Sequence, residues 1–171
     1  MKTPKLLLCL AALALTAGAQ NQRTLCLFFD LNSLNAADQA KAQASAIQYV
    51  QEQLTAQDRV TVMTYGAELK VVQDASSDRE ALLAALRGIM PDSDNVVASD
   101  VNGRLQAIEK ATMILEPVAG KKAIILFSAG IHQNDLVDSD QLKATVNAAK
   151  LANLAIYSVD ARGLGNAALP R

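Results

Sequence analysis

Short unbroken apolar runs alternate along the chain with longer stretches in which apolar residues recur every three or four positions. This is the signature of strands buried on both faces and joined by amphipathic helices. Thr24-Leu25-Cys26-Leu27-Phe28-Phe29 is the first such run and ends at Asp30. From Ala36 to Leu54, Ala36, Ala40, Ala44, Ile47, Val50 and Leu54 fall at helical spacing, and Asn35 with Asp38 three residues on supplies a cap. Arg59 to Tyr65 reads as a second strand, which Gly66-Ala67-Glu68 turns into Leu69 to Gln73 as a hairpin. Ser77-Asp78-Arg79-Glu80 forms a capping box opening a helix that buries Leu82, Leu83, Leu86 and Ile89. Pro91 to Asp100 carries turn chemistry and no apolar period, and reads as a surface loop. Leu105, Ile108, Thr112 and Leu115 mark a helix stopped by Pro117 and Gly120, and Ala123 to Phe127 is another apolar strand, ending at Ser128-Ala129-Gly130. Asp138 with Gln141 caps a helix reaching Ala152, and Ala155 to Val159 is the last strand, ending at Asp160.

These signals in this order make one α/β domain, a three-layer sandwich with a mostly parallel central sheet and one antiparallel hairpin edge strand. In open sheets of this kind, ligands bind where loops leave the carboxyl ends of the strands. Those ends carry Asp30-Leu31-Asn32-Ser33, Ser128-Ala129-Gly130 and Asp160-Ala161-Arg162-Gly163. A ligand-binding rim is therefore expected at Asp30, Asn32, Ser33, Ser128 and Asp160.

The start of the chain follows neither pattern. Lys2 and Lys5 give a positive start before an apolar run of about 11 residues, Leu6 to Thr16, and Ala17-Gly18-Ala19 puts small residues where a signal peptidase cuts. Met1 to Ala19 thus reads as a signal peptide and residues 20–171 as the mature domain, secreted or periplasmic. A membrane helix needs about 20 apolar residues, and position 20 is Gln rather than the Cys of a lipoprotein, so no membrane attachment is expected after cleavage. Cleavage removes Cys9 and leaves Cys26 alone, which excludes an intramolecular disulfide. It also removes two of the 16 basic residues and none of the 17 acidic ones, giving a mature charge of 14 − 17, or −3. With no Trp and few other aromatics, this balance argues against nucleic acid or anionic lipid as a partner.

Five features in order resemble a von Willebrand factor A domain across nearly all of the mature chain: the Phe28-Phe29-Asp30-Leu31-Asn32 strand end, the Val60 to Gln73 hairpin, the Asp78 to Leu86 helix, Lys122 to Gly130, and Ile156 to Leu164. Within that superfamily, Phe127-Ser128-Ala129-Gly130-Ile131 and Tyr157 to Leu164 are similar to the VWFA-related domain of acidobacterial exported proteins. The resemblance implies a non-catalytic protein-binding module. Many members hold one Mg2+ in a metal-ion-dependent adhesion site made by Asp-x-Ser-x-Ser, a later Thr, and an Asp after the fourth strand. Such a site gives a hard ion its oxygen ligands and leaves one position for a partner's carboxylate. Here Asp30 matches, Asn32 replaces the first Ser, Leu34 replaces the second, Ala129 stands where the later Asp falls, and only Ser93 and Ser99 could substitute for the Thr. Asp30 and Asn32 are then an incomplete metal pair, and the expectation is no resident cofactor, with weak Mg2+ binding at most. Without metal, the same two residues serve the turn and the helix cap. Members usually add a helix and a sixth strand after the region of Asp160 to Leu164, so the resemblance implies a domain lacking both. It would be completed by a protein partner or a missing C-terminal segment, or be a truncated domain without rim function.

A rival resemblance takes Phe28 to Ser33 as the start of a haloacid-dehalogenase-type phosphatase, with Asp30 attacking phosphorus. Asn32 cannot perform the acid and base work that this chemistry asks of the residue two positions on, and Ser128-Ala129-Gly130 lacks the acidic pair that would hold Mg2+. The sequence contains no G-x-S-x-G elbow, no Walker loop and no dinucleotide turn. His132 is the only His and reads as solvated, while Arg162 pairs more naturally with Asp160 than with an anionic ligand.

Overall fold

The strand β1 (Arg23–Asp30) sends alternate side chains to opposite faces, and both sets are apolar. Leu27 and Phe29 lie on one face, Cys26 and Phe28 on the other, and none is more than 1% exposed. Such a strand must be central and covered twice. The computed structural model, which describes residues 22–90, 101–130 and 140–163, shows how. Around β1 lie β2 (Asp58–Tyr65), β3 (Leu69–Ser76), β4 (Lys121–Ser128) and β5 (Leu154–Asp160), in the order β3-β2-β1-β4-β5. All neighbours are parallel except the β2–β3 hairpin. Helices α1 (Ala36–Glu52) and α2 (Arg79–Arg87) cover the Leu27/Phe29 face, meeting it with Ala42, Ala46, Val50, Leu82 and Leu86. Helices α3 (Val101–Leu115) and α4 (Asp140–Leu151) cover the Cys26/Phe28 face, where Ala107, Ile108, Ala111 and Leu115 of α3 join Ala149 of α4. The three-layer α/β sandwich read from the sequence is the observed one.

Local capping agrees at one helix and shifts at another. Asn35 caps α1, its side chain accepting from the Asp38 N–H at 3.0 Å. The cap of α2 is Asp78 rather than Ser77, and its carboxylate accepts from the N–H groups of Glu80 and Ala81 at 2.9 and 3.2 Å. The cause lies upstream: β3 continues past Gln73 to Ser76, which leaves two residues for the turn and puts the stronger acceptor at the helix start. Asp138, His132 and the Pro91 to Asp100 loop, with Ser93 and Ser99, lie outside the described residues, as do the signal segment 1–19 and the final residues 164–171. No helix among the described residues is long and apolar enough to cross a membrane.

Cys26 is fully enclosed between β1 and the α3 layer, and burial pushes its thiol up to about 12. Thiolate is the reactive form, so a folded chain that begins at Gln20, and so carries Cys26 without Cys9, should stay unlabelled by an aromatic disulfide reagent over hours at pH 8. It should react stoichiometrically in denaturant, and rapid labelling of the native protein would contradict the enclosed position.

Candidate functional site

The sequence of strands runs outward in one direction from β1 through β2 and then in the other through β4, so the loops leaving β1 and β4 diverge at their carboxyl ends. A crevice at this switch point is where open α/β sheets bind ligands. The β1 loop is fastened there on three sides. Asn32 donates its side-chain amide to the Gly66 carbonyl at 2.6 Å, and the Leu31 N–H reaches the Tyr65 carbonyl at 2.8 Å, which joins the loop to the β2–β3 turn. The Ser33 hydroxyl accepts from the Ala129 N–H at 3.0 Å and donates to the Asp30 carbonyl at 3.3 Å, which joins it to the end of β4. From α1, the Gln39 amide donates to the carbonyls of Leu31 and Leu34 at 3.1 and 2.8 Å. Ser128 is buried and its hydroxyl accepts from the Gly130 N–H at 3.2 Å. Gly130 has φ +79°, a conformation that side chains rarely tolerate.

Asp160 reaches the same rim from β5 but stays in solvent. Its carboxylate takes the Arg162 Nε and Nη2 at 3.0 and 2.9 Å and the Arg162 N–H at 3.0 Å. Those bonds hold the Asp160 carboxyl below its usual range. The Arg162 Nη2 lies 3.8 Å from where a side chain on Gly130 would begin, so this exposed pair overhangs the β4 loop.

Asp30 is different. Strand parity puts its side chain on the face of Cys26 and Phe28, under α3, and there it meets Arg104 from the first turn of that helix. The Arg104 Nε stands 2.5 Å from the Asp30 Oδ2, with the two side chains 3% and 0% exposed. The Arg104 Nη1 donates to the Gly130 carbonyl at 2.8 Å, so one guanidinium bridges the ends of β1 and β4. The contact is close in charge but poorly aligned: among the described residues, neither Asp30 carboxylate oxygen nor the Arg104 Nε has a hydrogen bond of good geometry. Burial pushes the Asp30 carboxyl above the usual range, and Arg104, the largest opposing influence, offsets only part of that.

Thus Asp30, Asn32, Ser33 and Ser128 do converge on one rim, with Asp160 beside them, but Asn32, Ser33 and Ser128 are hydrogen-bonded to neighbouring backbone and Asp30 is held by the Arg104 charge. Asp30 and Asn32 are not brought together as a metal pair. Asp30 faces a guanidinium, the Asn32 amide donates to the neighbouring turn, Leu34 is fully buried in the core, and Ala129 brings no side-chain oxygen. With Arg104 held against Asp30 and the Gly130 carbonyl, this donor set does not fit a divalent ion, which needs several unengaged oxygens around it. Arg104 was absent from the sequence-based site, although it carries a legible signal. It lies at helical spacing with Ile108, Ala111 and Leu115, in the buried stripe of α3, where a charge requires a partner.

A model of the von Willebrand factor type A domain matches residues 29–171. Among solved structures, the conserved hypothetical protein BatB from Bacteroides thetaiotaomicron superposes with a TM-score of 0.59 at 20% identity, over 80% of this chain and 65% of that one. An aerotolerance-related membrane protein from Bacteroides fragilis gives 0.59 at 16%, over 80% and 66%. The vWF domain of the type V pili tip protein Mfa5 from Porphyromonas gingivalis gives 0.51 at 19%, over 66% and 39%. The chain therefore spans about two thirds or less of the length of these structures, and at such identities the likeness is one of fold. No curated protein matches the chain.

Proposed function

The chain belongs to the von Willebrand factor type A domain family, and from that membership we propose that it is an exported, non-catalytic protein-binding module whose partner docks on the rim around the ends of β1, β4 and β5. One observation carries this. The acid that a hydrolase would use, Asp30, is fully buried against Arg104, while Ser33, Asn35, Glu68 and the Asp160–Arg162 pair reach solvent around it. A carboxylate enclosed in that way cannot approach a phosphate ester, whereas polar groups on tied-down loops suit recognition, because little freedom is lost on binding. The metal site is degenerate and recognition needs no bound ion. Export rests on the Met1 to Ala19 pattern, and related folds in a pili tip protein and a membrane protein fit that setting. Within the family we place the chain nearest the VWFA-related exported subgroup, on Phe127 to Ile131 and Tyr157 to Leu164.

Photo-crosslinking in the producing cell tests the docking face. A photoreactive side chain placed at Ser33 or Asp160 should yield an adduct of defined mass, and one at Thr55, exposed at the opposite end of the sheet, should not. Adducts from all three positions, or from Thr55 alone, would remove the rim from the proposal. Turnover of an aryl phosphate that disappears in Asp30→Asn would remove its non-catalytic character.

A further inference from the structure

We infer that the Arg104 guanidinium is the resident cation of this rim, a tethered positive charge that engages Asp30 and closes the position to divalent ions. Three observations converge. The pair is the buried charge contact at the switch point, 2.5 Å apart with both side chains almost wholly enclosed. The same guanidinium binds the Gly130 carbonyl at 2.8 Å, and so joins the β1 end to the β4 loop. Among the described residues beside Asp30, Asn32 is fastened to Gly66 and Ser33 to Ala129.

Electrostatics makes the two occupants exclusive. A unit charge about 4 Å from the guanidinium would be repelled enough to weaken its binding on the order of a thousandfold in a partly buried setting, and a divalent ion more. A rim organised by a side chain responds neither to a chelator nor to the divalent concentration of the surroundings. Arg104 is thus a positioning residue for the rim rather than a group that touches a partner. The inference needs no partner for its test, so it can fail while the binding proposal stands, and the reverse.

Thermal unfolding of the mature chain, in EDTA and then in millimolar MnCl2, decides it. The wild-type midpoint should agree in the two buffers within about 1 °C. Arg104→Met should unfold roughly 6 °C lower in EDTA, because it leaves a buried carboxylate without its counter-charge, and the loss is limited because Asp30 can take up a proton. Mn2+ should then raise the Arg104→Met midpoint, because that change frees the Asp30 carboxylate and the Gly130 carbonyl that the guanidinium holds. The double variant Asp30→Asn with Arg104→Met should regain most of the loss and ignore Mn2+, and Arg104→Lys should fall between wild type and Arg104→Met. Should Arg104→Met fail to fold, the double variant still decides, since it must fold and be indifferent to Mn2+. An Asp30-dependent rise of the wild type in Mn2+, an Arg104→Met protein that Mn2+ leaves unmoved, or losses from the two single changes that simply add would each overturn the assignment.

Discussion

Replacing Phe127 by Ala is expected to cost about 3–5 kcal/mol, seen as a fall of roughly 10–15 °C in the thermal midpoint. Phe127 is fully buried on β4 and sits in register opposite Phe29 of β1. Their rings stack with centroids 4.9 Å apart and planes inclined by 11°. A stacked aromatic pair adds about 0.5–1.5 kcal/mol to the burial of its surface. The larger contribution is the cavity, whose cost depends on how far the surroundings can collapse into it. Much of the wall cannot move: Ala42, Ala46 and Ala161 of the same cluster have no side-chain freedom, and Phe29 is held on the central strand. A loss near the top of the range follows. Phe127→Leu keeps most of the volume and should cost under about 1.5 kcal/mol. Equal losses for the two variants would show that ring stacking rather than cavity volume governs the site, and a loss below about 1.5 kcal/mol for Phe127→Ala would show that the layer collapses freely.

The apolar period makes most of this core legible in the sequence, but not the stripe of α1, where Ala42, Ala46 and Val50 are buried while Ala40 and Ala44 of the expected stripe are exposed. Two-sided runs identified β1 and β4 as central, and the pairing of strands with intervening helices placed one layer on each face. Some local chemistry between sequence neighbours is legible, as with Asn35 capping α1 through Asp38 or Arg162 closing on Asp160, while the α2 cap falls one residue later than the sequence suggests. What the pattern could not supply were polar contacts between distant segments. Ser33 reads as a rim residue from its place after β1, but only the folded loop, held by the two Gln39 bonds, shows that its hydroxyl serves the Ala129 N–H beyond the end of another strand. Arg104 escaped for the same reason, since its partner lies on an element far away in sequence. Helical periodicity says which face a residue occupies, while strand parity says which face Asp30 occupies. Only the two together bring acid and base into one layer, and the charged residue in the apolar stripe is the clue that joins them.

The second large effect lies at the opposite end of the sheet, where Asp58→Ala should cost about 2–3 kcal/mol at neutral pH and flatten the acid side of the stability profile. The Asp58 side chain is fully buried and accepts four bonds: Arg23 Nε and Nη2 at 2.7 and 2.9 Å, and the Thr55 N–H and hydroxyl at 3.0 and 2.8 Å. Burial alone would raise its pKa, but the Arg23 and Thr55 bonds outweigh it, and the carboxyl lies below the usual range when folded. Because the Arg23 side chain is half exposed, solvent screens the pair, and the loss stays below that of an enclosed one. The sign follows from the depressed value. The stabilisation is complete above the unfolded carboxyl pKa of about 3.9 and disappears as pH falls through the lower folded one. Asp30 acts in the opposite sense, since a raised folded pKa gives stability that is full in acid and lost as pH rises through that value. The wild-type profile mixes the two, and the difference between wild type and Asp58→Ala isolates Asp58. Denaturant unfolding from pH 7 to pH 2.5 should show that difference shrinking steadily below about pH 4. Curves that stay parallel throughout would mean that Asp58 contributes shape rather than charge, and Asp58→Asn would then match the wild type at neutral pH.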